Sequence, residues 1–300
     1  MPRAFLLDLD GTLYSGGAPI PGAAEALAAL RGRGVPCRFL TNTTSISRRG
    51  LVERLRGYGF GVLESEIITP LVAAAALLKA EGIRSVMPFV PEAALEDLSE
   101  FDLVGGATSE DMPGSNPSVL PVSSLLPVPP VSSASSISSV SPASSILPVS
   151  WIPSAVVLGD LGSGWTFDLM QDAFAALMTG ARFIALSRDR YFQSSRGLRL
   201  DAGTFVAALE YATGRNAELV GKPGMAYYQR ALDSVAGTLD PGAVVMVGDD
   251  LWSDIEGAQR AGCQGWLVRT GKFREDILHQ SGIVPDRLIA SAADLPGLLG

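Results

Sequence analysis

The stretch Ala4-Phe5-Leu6-Leu7-Asp8-Leu9-Asp10-Gly11-Thr12-Leu13-Tyr14 decides the fold of this chain. An apolar run of strand length ends in two aspartates at positions i and i+2, so Asp8 and Asp10 project to the same side of the strand. Because an unpaired carboxylate is costly to remove from water, two of them indicate that the strand ends in a cleft. Gly11 then allows a sharp turn and a close approach of the backbone to a ligand.

Composition restricts the classes of protein to which the chain can belong. Its 300 residues are 47% hydrophobic, enough for one large or two ordinary domains, and its net charge of −8 argues against nucleic-acid binding. Cys37 and Cys263 stand in apolar contexts without metal-ligand spacing, which is typical of buried thiols in a reducing compartment. With no signal-peptide pattern and no apolar run of membrane length, we expect a cytoplasmic protein that binds neither nucleic acid nor a membrane.

The single histidine, His279, lies in a polar stretch near the C-terminal end and is typical of a solvated helix end. A Ser-His-Asp or Cys-His hydrolase would depend on this residue alone. We therefore expect carboxylates to carry any acid–base chemistry.

Strand-like and helix-like segments alternate along the chain, which predicts an α/β fold with a doubly wound parallel sheet. The pattern predicts a core built from residues 1–72 and 201–300, with a smaller α/β domain at 73–200 inserted into it. Inside that domain, residues 112–153 are dominated by Ser, Pro and Val and predict a disordered surface insertion. A partner-binding role for this insertion is the less favoured interpretation.

Polar residues follow several of the predicted strands at the carboxyl edge, where parallel sheets bind ligands. Taken singly, each has an ordinary structural explanation as a helix cap, a turn residue or a solvated lysine. Their joint occurrence in this order indicates one site. They are Asp8 and Asp10, Thr41 and Asn42, Lys222, and Asp249 with Asp254.

This combination resembles the haloacid dehalogenase (HAD) superfamily of phosphotransferases across essentially the whole chain outside the Ser/Pro stretch. The four motifs read Asp8-Leu9-Asp10-Gly11-Thr12, Thr41-Asn42, Gly221-Lys222-Pro223 and Gly248-Asp249-Asp250-Leu251-Trp252-Ser253-Asp254. The large insert between the second and third motifs is similar to that of class IIA, in which a C2-type α/β cap domain is inserted into a HAD-like, Rossmann-like core. Segments 205–214 and 268–272 resemble the branch that contains phospholysine phosphohistidine inorganic pyrophosphate phosphatase.

The resemblance implies a Mg²⁺-dependent phosphatase that hydrolyses a small phosphorylated metabolite or phosphoamino acid. In this family Asp8 would be the nucleophile that forms an aspartyl-phosphate. Asp10 would act as the general acid and base, a role that needs a raised pKa. The cap would act as a lid over the site. The sequence does not decide the oligomeric state, and a homodimer is one option because caps of this kind often pair in relatives.

The same resemblance implies the ligand-binding residues. Mg²⁺ prefers oxygen ligands, and the implied protein ligands are Asp8, the backbone carbonyl of Asp10, and Asp249, with Asp254 as a supporting acid. The residues implied to bind phosphate are Thr41, Asn42 and Lys222.

A basic cluster stands out in this acidic chain and consists of Arg188, Arg190, Arg196 and Arg199. We favour a solvated hairpin near the return to the core. The alternative is a grip on a second anionic group of the substrate.

Other functions remain open at this stage. A dehalogenase is disfavoured because displacing a halide needs neither Asp10 as an acid nor a metal. A phosphomutase would have to move the phosphoryl group between substrate oxygens. A phospho-acceptor signalling domain lacks a large inserted cap, and a catalytically impaired binding protein is disfavoured because every expected catalytic side chain is present.

Overall fold

A computed structural model describes residues 2–106, 153–194, 197–235 and 239–299. The predicted disordered insertion at 112–153 therefore lies outside the described residues, apart from Pro153, and so does Arg196. In chain order the strands are β1 (Ala4–Asp8), β2 (Tyr14–Ser15), β3 (Ala18–Pro19), β4 (Cys37–Leu40), β5 (Ile67–Ile68), β6 (Ser85–Phe89), β7 (Asp102–Leu103), β8 (Ala155–Leu158), β9 (Arg182–Ala185), β10 (Tyr191–Ser194), β11 (Gly197–Leu200), β12 (Glu218–Leu219), β13 (Val244–Gly248), β14 (Gln264–Val268) and β15 (Arg287–Ile289). The α-helices are α1 (Ala23–Gly32), α2 (Arg48–Gly57), α3 (Pro70–Ala80), α4 (Phe167–Met178), α5 (Ala202–Thr213), α6 (Met225–Ser234), α7 (Gly257–Arg260) and α8 (Glu275–Ser281).

The core sheet has the strand order β15-β14-β13-β1-β4-β5, and all its pairs are parallel. Its central strand β1 is buried along its whole length. Phe5 and Leu7 pack into one apolar cluster, and Ala4 and Leu6 pack into another on the opposite face. A sheet covered on both faces needs such continuous apolar strands, so the predicted doubly wound core is confirmed.

A second sheet has the order β12-β9-β8-β6-β7 and is also parallel throughout. Its strands likewise send alternate side chains into two separate apolar clusters. We call the unit built on this sheet the cap domain. Within the described ranges, no helix combines the length and the apolar character that crossing a bilayer requires.

The cap domain ends later in the chain than the predicted boundary at residue 200. Strand β12 pairs with β9 of the cap sheet, and Val206 and Leu209 of α5 pack in the same cluster as Phe183. The chain therefore returns to the core at about residue 220 and not at 201. Apolar spacing reveals that α5 is an amphipathic helix, but it does not reveal which of two sheets the helix covers.

The carboxyl edges of the two sheets face each other. Asp160, which follows β8, donates its backbone N–H to Thr44 Oγ1 at 2.8 Å. Asp189, which follows β9, accepts a hydrogen bond from Asn42 Nδ2 at 3.4 Å. A cleft between these two edges is where parallel α/β sheets place their ligands.

Candidate active site

Three buried carboxylates converge where β1 and β13 end. Asp8 is the last residue of β1, Asp249 follows β13, and Asp254 lies in a π-helical turn, Leu251–Glu256. One carboxylate oxygen from each lies within 4.8 Å of the others. Because β1 and β13 are adjacent and parallel in register, the two strand ends bring Asp8 and Asp249 together.

The charge of this cluster is unfavourable without a cation. Burial, together with the neighbouring Asp8 and Asp254, raises the pKa of Asp249. Burial also raises the pKa of Asp254, against the opposing effect of Lys222. A group of close, buried carboxylate oxygens is the donor set that Mg²⁺ prefers, so these residues fit the implied metal.

Lys222 is the cation within this cluster. Its Nζ forms ion pairs with Asp8 Oδ1 and, at 2.7 Å, with Asp254 Oδ1. Burial works against the charged amine, but Asp254 and Asp8 outweigh that effect and hold the pKa of Lys222 well above its ordinary value. Lys222 is therefore positioned to neutralise the carboxylate of Asp8.

Asp10 lies apart from the buried acids and keeps contact with solvent, whereas Asp8 is only 6% exposed. Partial burial of its carboxyl group, and then the negative charge of Asp8, raise the pKa of Asp10. Asp8 Oδ2 in turn accepts a hydrogen bond from Thr12 Oγ1 at 3.4 Å. The two aspartates of the first motif thus occupy different environments, one enclosed and one in contact with solvent.

Thr41 and Asn42 follow β4 and differ in what their side chains contact. The buried Thr41 hydroxyl accepts the N–H of Thr43 at 3.0 Å. The Asn42 amide pairs with the backbone of Lys222: Oδ1 accepts its N–H at 2.8 Å, and Nδ2 donates to its carbonyl at 3.0 Å. The side chain of Asn42 therefore holds the backbone of Lys222, a role that the sequence did not indicate.

Two adjacent tyrosines of α6 also support the site and were missed by the sequence analysis. Tyr227 donates its hydroxyl hydrogen to the carbonyl of Thr41 at 2.9 Å, and Tyr228 donates to the carbonyl of Ser253 at 2.7 Å. Both side chains are buried. The sequence did carry a signal for this role, the Tyr-Tyr pair soon after Lys222. A buried tyrosine hydroxyl needs a hydrogen-bond partner, so tyrosines near the site could be expected to bond its backbone.

The basic cluster is partly accounted for by contacts within the cap domain. Arg188 pairs with Glu210 and donates to the carbonyl of Ala217 at 3.0 Å. The Arg190 guanidinium lies 5.9 Å from the ring centroid of Tyr191. Arg188 therefore links α5 to the residue that precedes β12, which favours a structural role for this arginine.

Comparisons with known proteins show the family to which the chain belongs. A model of the family described as haloacid dehalogenase-like hydrolase matches residues 5–104, and a HAD-hydrolase-like model matches residues 219–295. Haloacid dehalogenase-like hydrolase domain-containing protein 2 from Homo sapiens is 37% identical over 272 residues, covering 91% of this chain and 86% of the relative. The chain belongs to the haloacid dehalogenase-like hydrolase family.

Phosphatases are among its relatives within that family. Human phospholysine phosphohistidine inorganic pyrophosphate phosphatase is 32% identical over 305 residues, covering 99% of this chain and 94% of the relative. The solved structure of p-nitrophenyl phosphatase from Archaeoglobus fulgidus matches with a TM-score of 0.78 and 26% identity, covering 99% of this chain and 98% of that one. The predicted family, its α/β fold and its hydrolase class are thus confirmed, and the chain is a phosphatase-type member.

Proposed function

We propose that the protein is a Mg²⁺-dependent phosphatase that transfers the phosphoryl group of a small substrate first to Asp8 and then to water. The observation that carries the proposal is the position of Asp8, held at a strand end between Lys222 and two further buried carboxylates. Phosphoryl transfer demands mainly positioning and charge neutralisation, and this arrangement supplies both.

In the first step an oxygen of Asp8 attacks phosphorus, and the bond between phosphorus and the leaving oxygen or nitrogen breaks. Asp10, whose raised pKa favours the protonated form, gives its proton to the leaving group. In the second step Asp10 takes a proton from water, the water oxygen attacks phosphorus, and Asp8 is released. Lys222 neutralises Asp8 throughout, and the buried hydroxyl of Thr41 is proposed to hydrogen-bond a phosphoryl oxygen.

We assign the cation to Asp8, Asp249 and the backbone carbonyl of Asp10, with Asp254 beside them. When bound, Mg²⁺ would neutralise the carboxylates and the phosphoryl oxygens that otherwise repel one another. Asp254 forms an ion pair with Lys222 and also belongs to the acidic cluster, so its negative charge would stabilise both the lysine and the bound cation.

The substrate is proposed to be a small phosphorylated metabolite or phosphoamino acid, in keeping with the phosphatase names of the relatives. The cap domain faces the site through Asp160 and Asp189 and would exclude bulk water during transfer. We further propose a cytoplasmic location, because both cysteines are buried free thiols of the kind found in reducing compartments.

A phosphate-release screen tests the proposal. The panel contains 4-nitrophenyl phosphate, sugar phosphates, nucleotides, phosphohistidine, phospholysine and pyrophosphate, each with and without Mg²⁺, and Asp8→Asn is the matched inactive control. We expect release that requires Mg²⁺ and is lost in the variant. Release without metal, or full activity of Asp8→Asn, would overturn the mechanism.

A further inference from the structure

The turn that follows β14, residues 270–272, contacts two parts of the acidic site. Thr270 Oγ1 donates a hydrogen bond to the carbonyl of Gly11 at 2.5 Å. The backbone N–H of Lys272 donates to Asp249 Oδ2 at 2.7 Å. Because β14 lies next to β13 in the core sheet, the turn after β14 reaches the acid that follows β13.

Gly271, between these two residues, lies directly against the site. Its backbone has φ +63°, a left-handed conformation that favours glycine. A Cβ at this position would lie 2.5 Å from the Cα of Gly11 and would also overlap the carboxylate of Asp249. The turn therefore packs against the loop of the first motif and the acid of the fourth, with no room for a side chain between them.

We infer that turn 270–272 is a positioning element for cation binding, in which Thr270 fixes the loop that carries Asp10 and the Lys272 amide orients Asp249. The inference rests on the proposed function, since it concerns the same metal site. Neither contact places Thr270 or Lys272 on the substrate. Both act through groups that would surround the cation, as partners of metal ligands commonly do.

The backbone N–H of Lys272 also restricts the orientation of the Asp249 carboxylate. With Oδ2 engaged by a backbone N–H, the carboxylate is held against free rotation about its Cβ–Cγ bond. The Lys272 side chain bonds Asp250 Oδ2 at 3.1 Å, which ties the turn to the residue after Asp249. One short segment thus contacts Asp249 and Asp250, two of the three acidic residues of the fourth motif.

Thr270 offers a clean test because its hydroxyl can be removed with little change of shape. Thr270→Val deletes the donor, and Thr270→Ser keeps it. The readout is Mg²⁺ binding to the full-length, metal-free protein, measured by calorimetry and by the Mg²⁺-induced rise in melting temperature. Losing a partner of a metal site commonly costs 10-fold or more in affinity, so we expect Thr270→Val to bind Mg²⁺ about tenfold more weakly and Thr270→Ser to match the wild type.

Thr179→Val is the matched control. It removes a similar hydroxyl-to-carbonyl bond, from Thr179 to Ala176 at 2.8 Å, at the end of α4 in the cap domain. We expect its Mg²⁺ affinity to stay at the wild-type value. If Thr270→Val fails to fold, Thr270→Ala is measured in the same way.

The outcomes separate this inference from the proposed function. If the wild type binds no Mg²⁺, the proposed function fails and the inference fails with it. If the wild type binds Mg²⁺ and the affinity of Thr270→Val lies within twofold of it, only the inference is wrong. A Thr270→Ser protein as impaired as Thr270→Val would also contradict it, because the hydroxyl would then not be the group that matters.

Discussion

Replacing Asn42 with alanine tests how much the site depends on the amide that holds Lys222. Two hydrogen bonds, of 2.8 and 3.0 Å, are lost, and both backbone groups of a buried residue lose their side-chain partner. A typical hydrogen bond contributes a net 0.5–1.5 kcal/mol, so the pair contributes about 1–3 kcal/mol. If that loss appears in the transition state, kcat/KM falls about 5- to 150-fold, at roughly 1.4 kcal/mol for each factor of ten.

The assay is steady-state hydrolysis of 4-nitrophenyl phosphate at saturating Mg²⁺, with Asn216→Ala, which changes an exposed asparagine, as the matched control. We expect kcat/KM to fall at least about fivefold in Asn42→Ala, from the magnitude above, and to stay unchanged in the control. The Mg²⁺ concentration for half-maximal activity should change little, because the Asn42 amide bonds none of the three clustered acids in the described structure. A folded Asn42→Ala protein with kcat/KM within twofold of the wild type would refute the reasoning.

Three further predictions concern stability, metal binding and reactivity. Tyr228→Phe removes the hydroxyl that donates to the buried carbonyl of Ser253, and it should lower the free energy of unfolding, measured in urea, by about 1–2 kcal/mol. The control Tyr211→Phe changes a side chain that is 89% exposed and should alter the free energy of unfolding by less than about 0.5 kcal/mol. Burial and neighbouring acids raise the pKa of Asp249 to about 8, above its unfolded value, so the metal-free protein should lose stability as pH rises from about 4 to 8. Mg²⁺ must displace the proton on the Asp249 carboxyl group when it binds. The affinity of the protein for Mg²⁺, measured by calorimetry, should therefore rise between pH 6 and pH 8 by up to about tenfold per pH unit, and an affinity that does not change with pH would contradict this prediction. Burial raises the pKa of Cys37 and of Cys263 to about 11, so a thiol reagent at pH 8 should label neither until the protein is unfolded.

The strand ends that carry the acids could be predicted because their signals are local. The β1 and β13 runs are apolar up to their carboxyl ends, as strands buried on both faces must be; Asp8 ends β1, and Asp249 directly follows β13. Asp8 and Asp249 were therefore expected at one edge of one sheet. The order of the motifs then supplied the family, and the comparisons confirmed it.

The supporting contacts could not be predicted, because they join residues far apart in the chain. Asn42 bonds a backbone 180 residues away, and Thr270 bonds one 259 residues away. A local pattern shows that an amide or a hydroxyl follows a strand, but it does not show which distant carbonyl that group will meet. The predicted domain boundary at residue 200 was wrong for a related reason, because the apolar face of α5 could have packed on either the core sheet or the cap sheet.

The central claim is that Asp8 carries the phosphoryl group, and the most direct test is to trap it there. Rapid acid quenching of the Mg²⁺-loaded enzyme with 4-nitrophenyl phosphate, followed by peptide mass analysis, would locate a phosphoryl group on the peptide that contains Asp8. Asp10→Asn should increase its amount, because 4-nitrophenolate leaves without an acid while water is no longer activated, and Asp8→Asn should abolish it. A phosphoryl group on another residue, or turnover by Asp8→Asn at the wild-type rate, would contradict the account.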